Sequence, residues 1–270
     1  MKYFLSIDNN YYHRWQAELL IESFKYHSLN KDLFIFITNK DALTSNGYNK
    51  NLLSHKNKYF HDSIDDYLNK LNSLKYLKLN LVKEDAICIL QPDMLLYNKI
   101  NFPIESDIIT SYDPSLKDRI LNTINKEFSN LIKNLDYYPK FPPCGEIVII
   151  NDKDISFINN LIYYYKKLDL NKSDLNKEGC YILSIIKEHY LNNKTLKIEA
   201  LEQNLMHHNL NNNFINYKHG VGSIWNKHQF KRPDILLGMS GPYDSFINIE
   251  VTTSSIEYMK EIVRNYLSDL

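Results

Sequence analysis

Three short polar stretches stand where strand-like runs stop. Asp8 closes the run Tyr3 to Ile7. Gln91-Pro92-Asp93 closes Ala86-Ile87-Cys88-Ile89-Leu90. His219-Gly220-Val221-Gly222 closes Phe214-Ile215-Asn216-Tyr217. Open α/β sheets place their ligands just beyond the carboxyl ends of strands. Asp and His are hard-to-borderline donors, so Asp93 with His219 can hold Mn2+ or Mg2+ and leave positions for two phosphate oxygens. Each residue also has a plainer role. Asp8 can cap the helix that follows it, Asp93 can close a turn, and a histidine beside glycine is commonly structural. A carboxylate between apolar neighbours has three outlets, which are a partner, solvent or a metal.

The elements that must position these residues are legible from period and punctuation. Ala86 to Leu90 lacks helical period and reads as a buried strand of a parallel sheet. Pro92 has no N–H to donate, so regular pairing stops there. Lys2 to Ile7 reads as a first strand, followed by a helix to about His27. In that helix Ala17, Leu20, Ile21 and Phe24 fall at i, i+3, i+4 and i+7, a core-facing stripe. Leu33 to Thr38 is a second strand, so the order predicts a right-handed parallel crossover. Residues 39–60 read as irregular and polar. A second helix opens at Asp62-Ser63-Ile64-Asp65-Asp66 and runs through Leu77. Its lysines, Lys70, Lys75 and Lys78, suit a solvated face, or in one case a phosphate.

Further strands are expected over Asp107 to Tyr112, Glu146 to Ile150, Leu196 to Ala200 and Phe214 onward. Helices are expected over Leu116 to Leu135, Ile155 to Leu168, Glu178 to Ile186 and Ser255 to Leu267. The last packs Ile256, Met259, Ile262, Val263 and Tyr266. Between them, Tyr138-Pro139-Lys140-Phe141-Pro142-Pro143-Cys144-Gly145 is an aromatic, proline-rich loop at a strand mouth, suited to sugar-like or flat ligands.

Composition bounds the function classes. The 270 residues carry 32 basic and 32 acidic side chains, which gives no electrostatic ground for nucleic acid or a membrane surface as a partner. No run approaches a membrane span, and a strand from residue 2 leaves no room for a signal peptide. Cys88, Cys144 and Cys180 lack metal-site spacing and cannot all pair, which points to a reducing, cytoplasmic location. No stretch reads as a linker, so one domain over 1–270 is expected. Residues 1–113 would be its nucleotide-binding half, and 114–270 an acceptor and metal-completing half.

Ser6-Ile7-Asp8-Asn9-Asn10-Tyr11 resembles the opening of GT-A fold glycosyltransferases, especially glycogenin-like (family 8) enzymes. Gln91-Pro92-Asp93-Met94 stands where that fold carries Asp-x-Asp, and His219-Gly220-Val221-Gly222 with Lys227 resembles its last metal-binding segment. Four other stretches resemble the hydroxyproline O-arabinosyltransferases and the peptidyl-serine galactosyltransferases. They are Tyr12-His13-Arg14-Trp15-Gln16, Leu90-Gln91-Pro92-Asp93, Pro143-Cys144-Gly145-Glu146-Ile147-Val148-Ile149-Ile150 and Glu178-Gly179-Cys180-Tyr181. The likeness runs in order over roughly residues 2 to 230.

The resemblance implies an α/β, GT-A-like fold with a mostly parallel central sheet flanked by helices. It also implies a transferase that moves a sugar from a nucleotide-diphosphate donor, UDP-linked, to a hydroxyl on a glycan or peptide. Asp8, Gln91 and either Tyr11 or Tyr12 would meet the base and ribose. Asp93 and His219 would hold Mn2+ or Mg2+ on the diphosphate, with Lys227 or Lys75 as an added cation. In an inverting enzyme Glu178 or Glu146 would deprotonate the acceptor. The two resemblances divide between inversion and retention. Gln91 in place of the first acid keeps a second reading open, a non-catalytic nucleotide- or sugar-binding module. A sugar nucleotidyltransferase is a third. It needs a Gly-rich phosphate loop after the first strand, and Asn9 to Trp15 has no glycine.

Overall fold

The structure is a computed structural model. It describes residues 1–8, 10–38, 49–61, 66–83, 85–100, 103–112, 143–167, 180–181, 183–185, 187–188, 196–202, 214–216, 233–238 and 253–268. The strands are β1 (Lys2–Asp8), β2 (Leu33–Thr38), β3 (Lys58–His61), β4 (Ile87–Leu90), β5 (Met94–Leu96), β6 (Ile108–Tyr112), β7 (Pro143–Ile150), β8 (Ile198–Glu202) and β9 (Phe214–Asn216). The helices are α1 (Tyr11–Tyr26), α2 (Lys50–Ser54), α3 (Asp66–Tyr76), α4 (Ser156–Lys167) and α5 (Thr253–Ser268). Residues 180–181 and 183–185 are also helical, where a helix was expected. The chain divides into two compact units that interleave in sequence. One comprises residues 3–66, 90–102 and 204–270, and the other 1–2, 67–89 and 103–203.

In the first unit β1, β2 and β3 pair in parallel, with Tyr3 opposite Leu33, Asp8 opposite Thr38 and Thr38 opposite His61. The β1-α1-β2 order is thus the parallel crossover that the sequence predicts. The expected stripe of α1, Ala17, Leu20, Ile21 and Phe24, is fully buried. Burial extends further than a stripe, because every residue from Arg14 to Ile21 is buried. A run of two turns covers all faces of a helix. The reason is that α1 packs against β5, α2 and α5 together. Trp15 and Leu19 join Leu95, Leu236, Tyr258, Met259, Ile262, Val263 and Tyr266 in one apolar cluster. Of the α5 residues named from sequence, Met259, Ile262, Val263 and Tyr266 belong to this cluster, and Ile256 is also buried.

Residues 50–54 and 58–61 are regular, contrary to the expectation of irregular chain. Helix α2 is too short to stand by propensity. Glu18 of α1 holds its amino end, Oε2 accepting from Asn51 N at 2.8 Å and Oε1 from Leu52 N at 2.6 Å. A two-stranded antiparallel sheet, β5 with β9, pairs Met94 with Asn216 and Leu96 with Phe214.

In the other unit the strand order is β4-β7-β6-β8. Pairs β4–β7 and β6–β7 are antiparallel, and β6–β8 is parallel. With the three parallel strands of the first unit, this is the mostly parallel α/β architecture expected. It differs in one respect, since β7 is an antiparallel insertion beside β4. Strand β7 begins at Pro143 rather than Glu146, because a proline is tolerated at the first residue of a strand. Leu71 and Leu74 of α3, and Leu77 just after it, are buried as their spacing predicts. Lys78 is not solvated as expected. It is buried, and its Nζ donates to Asp85 O at 2.9 Å. The expected helix over 116–135 and most of the aromatic loop before Pro143 lie outside the described residues.

Candidate functional site

Strand β1 stops at Asp8, and two residues later Asn10 caps α1. Asn10 Oδ1 accepts from His13 N at 2.8 Å, from an extended backbone conformation. The capping task that Asp8 could have performed thus falls to Asn10. Asp8 turns elsewhere. Its Oδ2 lies 3.5 Å from His13 Nδ1, with the two side chains 32% and 29% exposed. Asn10 Nδ2 is 3.0 Å from that same Nδ1. Because the amide oxygen already accepts from His13 N, the amide nitrogen is the donor here. His13 Nδ1 thus lies between the Asn10 amide and the Asp8 carboxylate. Neither His13 nor Asn10 was singled out from sequence. The signal available was residue type, since asparagine is a favoured N-cap.

The two tyrosines differ. Tyr11 is the first residue of α1. Tyr12 is half-buried and packs on the core cluster, its ring 6.0 Å from Trp15, edge to face, and 5.5 Å from that of His13.

At the end of β4 the chain turns through Gln91, Pro92 and Asp93 and re-enters a strand at Met94. Gln91 and Pro92 are half-buried. Asp93 is 3% exposed, so solvent does not serve its carboxylate. What fixes it is β5. Met94, Leu95 and Leu96 are buried, one edge pairs with β9, and the other edge is held by helices. Leu96 N donates to Ser23 Oγ at 3.0 Å, and Ser23 Oγ donates to Leu20 O at 2.7 Å. Tyr258 Oη donates to Leu96 O at 2.5 Å and lies 3.2 Å from His27 Nε2. The single hydroxyl proton goes to the carbonyl, so His27 is the donor to the phenol oxygen. Burial holds the His27 pKa below its ordinary value.

Asp8, Tyr12, Gln91 and Asp93 belong to one unit. Lys75, half-buried on α3, and Glu146, in β7, belong to the other. Glu178, His219 and Lys227 lie outside the described residues. A divalent ion is a matter of donor chemistry here. Asp93 offers a hard oxygen shielded from water, which suits Mg2+ or Mn2+. Among the described residues no three His, Cys, Asp or Glu side chains converge as a metal cluster. Of the two expected ligands, only Asp93 is among the described residues. Cys88 and Cys180 are free thiols, both buried.

No protein-family model matches this chain, and no curated protein matches it. Solved structures do resemble it. The apo structure of the bifunctional glycosyltransferase WbbM is 12% identical over 74% of this chain and 38% of that one, with a TM-score of 0.48. The galactosyltransferase LgtC, in complex with donor and acceptor sugar analogues, is 10% identical over 76% of this chain and 74% of that one, with a TM-score of 0.42. The apo form of the glycosyltransferase GlyE of Streptococcus pneumoniae TIGR4 is 14% identical over 100% of this chain and 64% of that one, with a TM-score of 0.41. The chain thus spans less than two thirds of WbbM and of GlyE.

Proposed function

We propose that the chain is a GT-A-like glycosyltransferase, a single domain that moves a sugar from a nucleotide-diphosphate donor to a hydroxyl of a glycan or peptide. One observation carries the reading. Two carboxylates stand at the carboxyl ends of β1 and β4, where α/β sheets bind ligands, and one of them, Asp93, is withdrawn from water. A capping role for Asp8 is taken by Asn10, which favours a binding role for Asp8.

In this reading Asp8 accepts a hydrogen bond from the ribose or base. The ring of Tyr12 is packed on Trp15 and the core, so stacking on the base is assigned to Tyr11. Gln91, a neutral amide beside Asp93, donates to the ribose. Asp93 and His219 would hold Mn2+ or Mg2+, which when bound offsets charge on the departing diphosphate. Lys227 or Lys75 adds a cation near the phosphates. Glu178 or Glu146 takes the acceptor proton if the reaction inverts. UDP is the expected nucleotide. A second reading rests on Gln91, whose amide in place of an acid suits a module that binds the nucleotide without turnover.

The test is thermal unfolding against a panel of nucleoside diphosphates with Mn2+, then with EDTA. A ligand of the native state raises the midpoint by mass action. UDP is expected to raise it, EDTA to remove the shift, and Asp93→Ala and His219→Ala each to lose it. No shift with any diphosphate removes the transferase reading. Shifts that survive in both variants remove the metal assignment. Glu178→Gln that binds UDP and still transfers sugar removes Glu178 as the base, and a parent that binds without transfer favours the binding module.

A further inference from the structure

Gln16 stands in the second turn of α1 and is 1% exposed. Its Nε2 meets no acceptor among the described residues. A carboxamide brings two N–H groups, and native proteins seldom bury such a donor without a partner. Two other buried polar side chains of this helix do have protein partners. Glu18 holds the amino end of α2. Ser23 Oγ donates to Leu20 O and accepts from Leu96 N.

The packing of α1 on β5 places the Gln16 amide. Ser23 meets Leu96, while Trp15 and Leu19 share a cluster with Leu95. Residues earlier in α1 thus meet residues earlier in β5, and the two elements run in the same direction. Gln16 precedes Ser23 by seven residues, nearly two turns, so both lie on one line of the helix, about 10 Å apart. Asp93 precedes Leu96 by three residues, which is also about 10 Å of extended chain. The amide is therefore on the β5-facing line of α1, at the level of Asp93, and both residues belong to one compact unit. Asp93 is 3% exposed and is not the acceptor of Gln16 Nε2. A hard oxygen and an amide donor are thus buried at one corner and do not serve each other. A diphosphate with a divalent ion suits both, since the carboxylate takes the ion and the phosphoryl oxygens accept from the amide. We propose that Gln16 binds the donor substrate, its Nε2 donating to a phosphoryl oxygen of the nucleoside diphosphate at the Asp93 corner. This rests on the transferase reading of that corner and adds a contact to it.

The experiment is calorimetric titration of the parent and Gln16→Leu with UDP and Mn2+, and with uridine, beside urea unfolding of the unliganded proteins. Leucine keeps similar bulk and removes the donor. Gln16→Leu should bind UDP about tenfold more weakly, the worth of one hydrogen bond to a charged oxygen. Uridine has no phosphoryl oxygen, so it should bind parent and variant alike. The variant's unfolding midpoint should equal or exceed the parent's, because a buried donor lacking an acceptor has been removed. Equal UDP affinity of parent and variant overturns this proposal and leaves the transferase reading standing. A matching loss for uridine also overturns it, and gives the amide to the nucleoside. In Gln16→Met, unbranched like glutamine, a midpoint that falls together with UDP affinity marks a structural amide and likewise overturns it. A parent that binds no nucleoside diphosphate removes both the proposal and the transferase reading.

Discussion

Glu18 is a carboxylate in the middle of a buried helix, and both its oxygens accept backbone N–H groups from the next one. Burial is the larger influence on it. It lifts the pKa from 4.5 to about 7, against the hydrogen bonds from Leu52 and Asn51, which pull it down. The folded pKa is raised, so the folded state binds the proton more tightly than the unfolded chain. Its stabilising contribution is therefore complete below pH 4.5 and is lost as pH rises to about 7, a change of at most about 3 kcal/mol. Glu18→Gln does not titrate. Urea unfolding of parent and variant should diverge in slope against pH within that window, and parallel profiles would mean that Glu18 does not titrate on folding. Legibility at this scale divides by distance along the chain. Asp8 and Asp93 could be found because each follows its own strand. Glu18 could not, because the amides that hold it lie more than thirty residues further on.

Leu96 gives its two backbone groups to helices rather than to a strand, and Tyr258 supplies one of the partners. Tyr258→Phe keeps the ring and removes both the donor to Leu96 O and the partner of His27 Nε2, so it should cost about 1–2 kcal/mol. The expected result is a lower urea midpoint at an unchanged m-value. A midpoint equal to the parent's would mean that these hydrogen bonds contribute nothing net. The elements with long periodic patterns, α1, α4 and α5, and the apolar strands β1, β2 and β4 were readable because their burial is written into their own residues. Helix α2 and strand β3 were not, since α2 exists through Glu18 and β3 through pairing with β2. The β5–β9 pair joins distant segments, which no window along the sequence contains. The width of α1's burial was hidden for the same reason. Its stripe is local, but β5, α2 and α5, which cover its other faces, are not.

Across the whole molecule, charge balance governs colloidal behaviour. With equal numbers of acidic and basic side chains and a pI near 7.1, self-repulsion is least close to neutrality. Solubility should pass through a minimum near pH 7.1, which light scattering across a pH series would detect, and a flat profile would contradict it. The tie between Leu96 and Tyr258 spans 162 positions of the chain. A ribosome releases domains progressively, amino end first. The strand that follows Asp93 must then wait, its Leu96 carbonyl still lacking the Tyr258 hydroxyl, until translation has delivered α5. β1, α1 and β2 can assemble much earlier. The nascent protein would thus hold its Asp8 corner before its Asp93 corner.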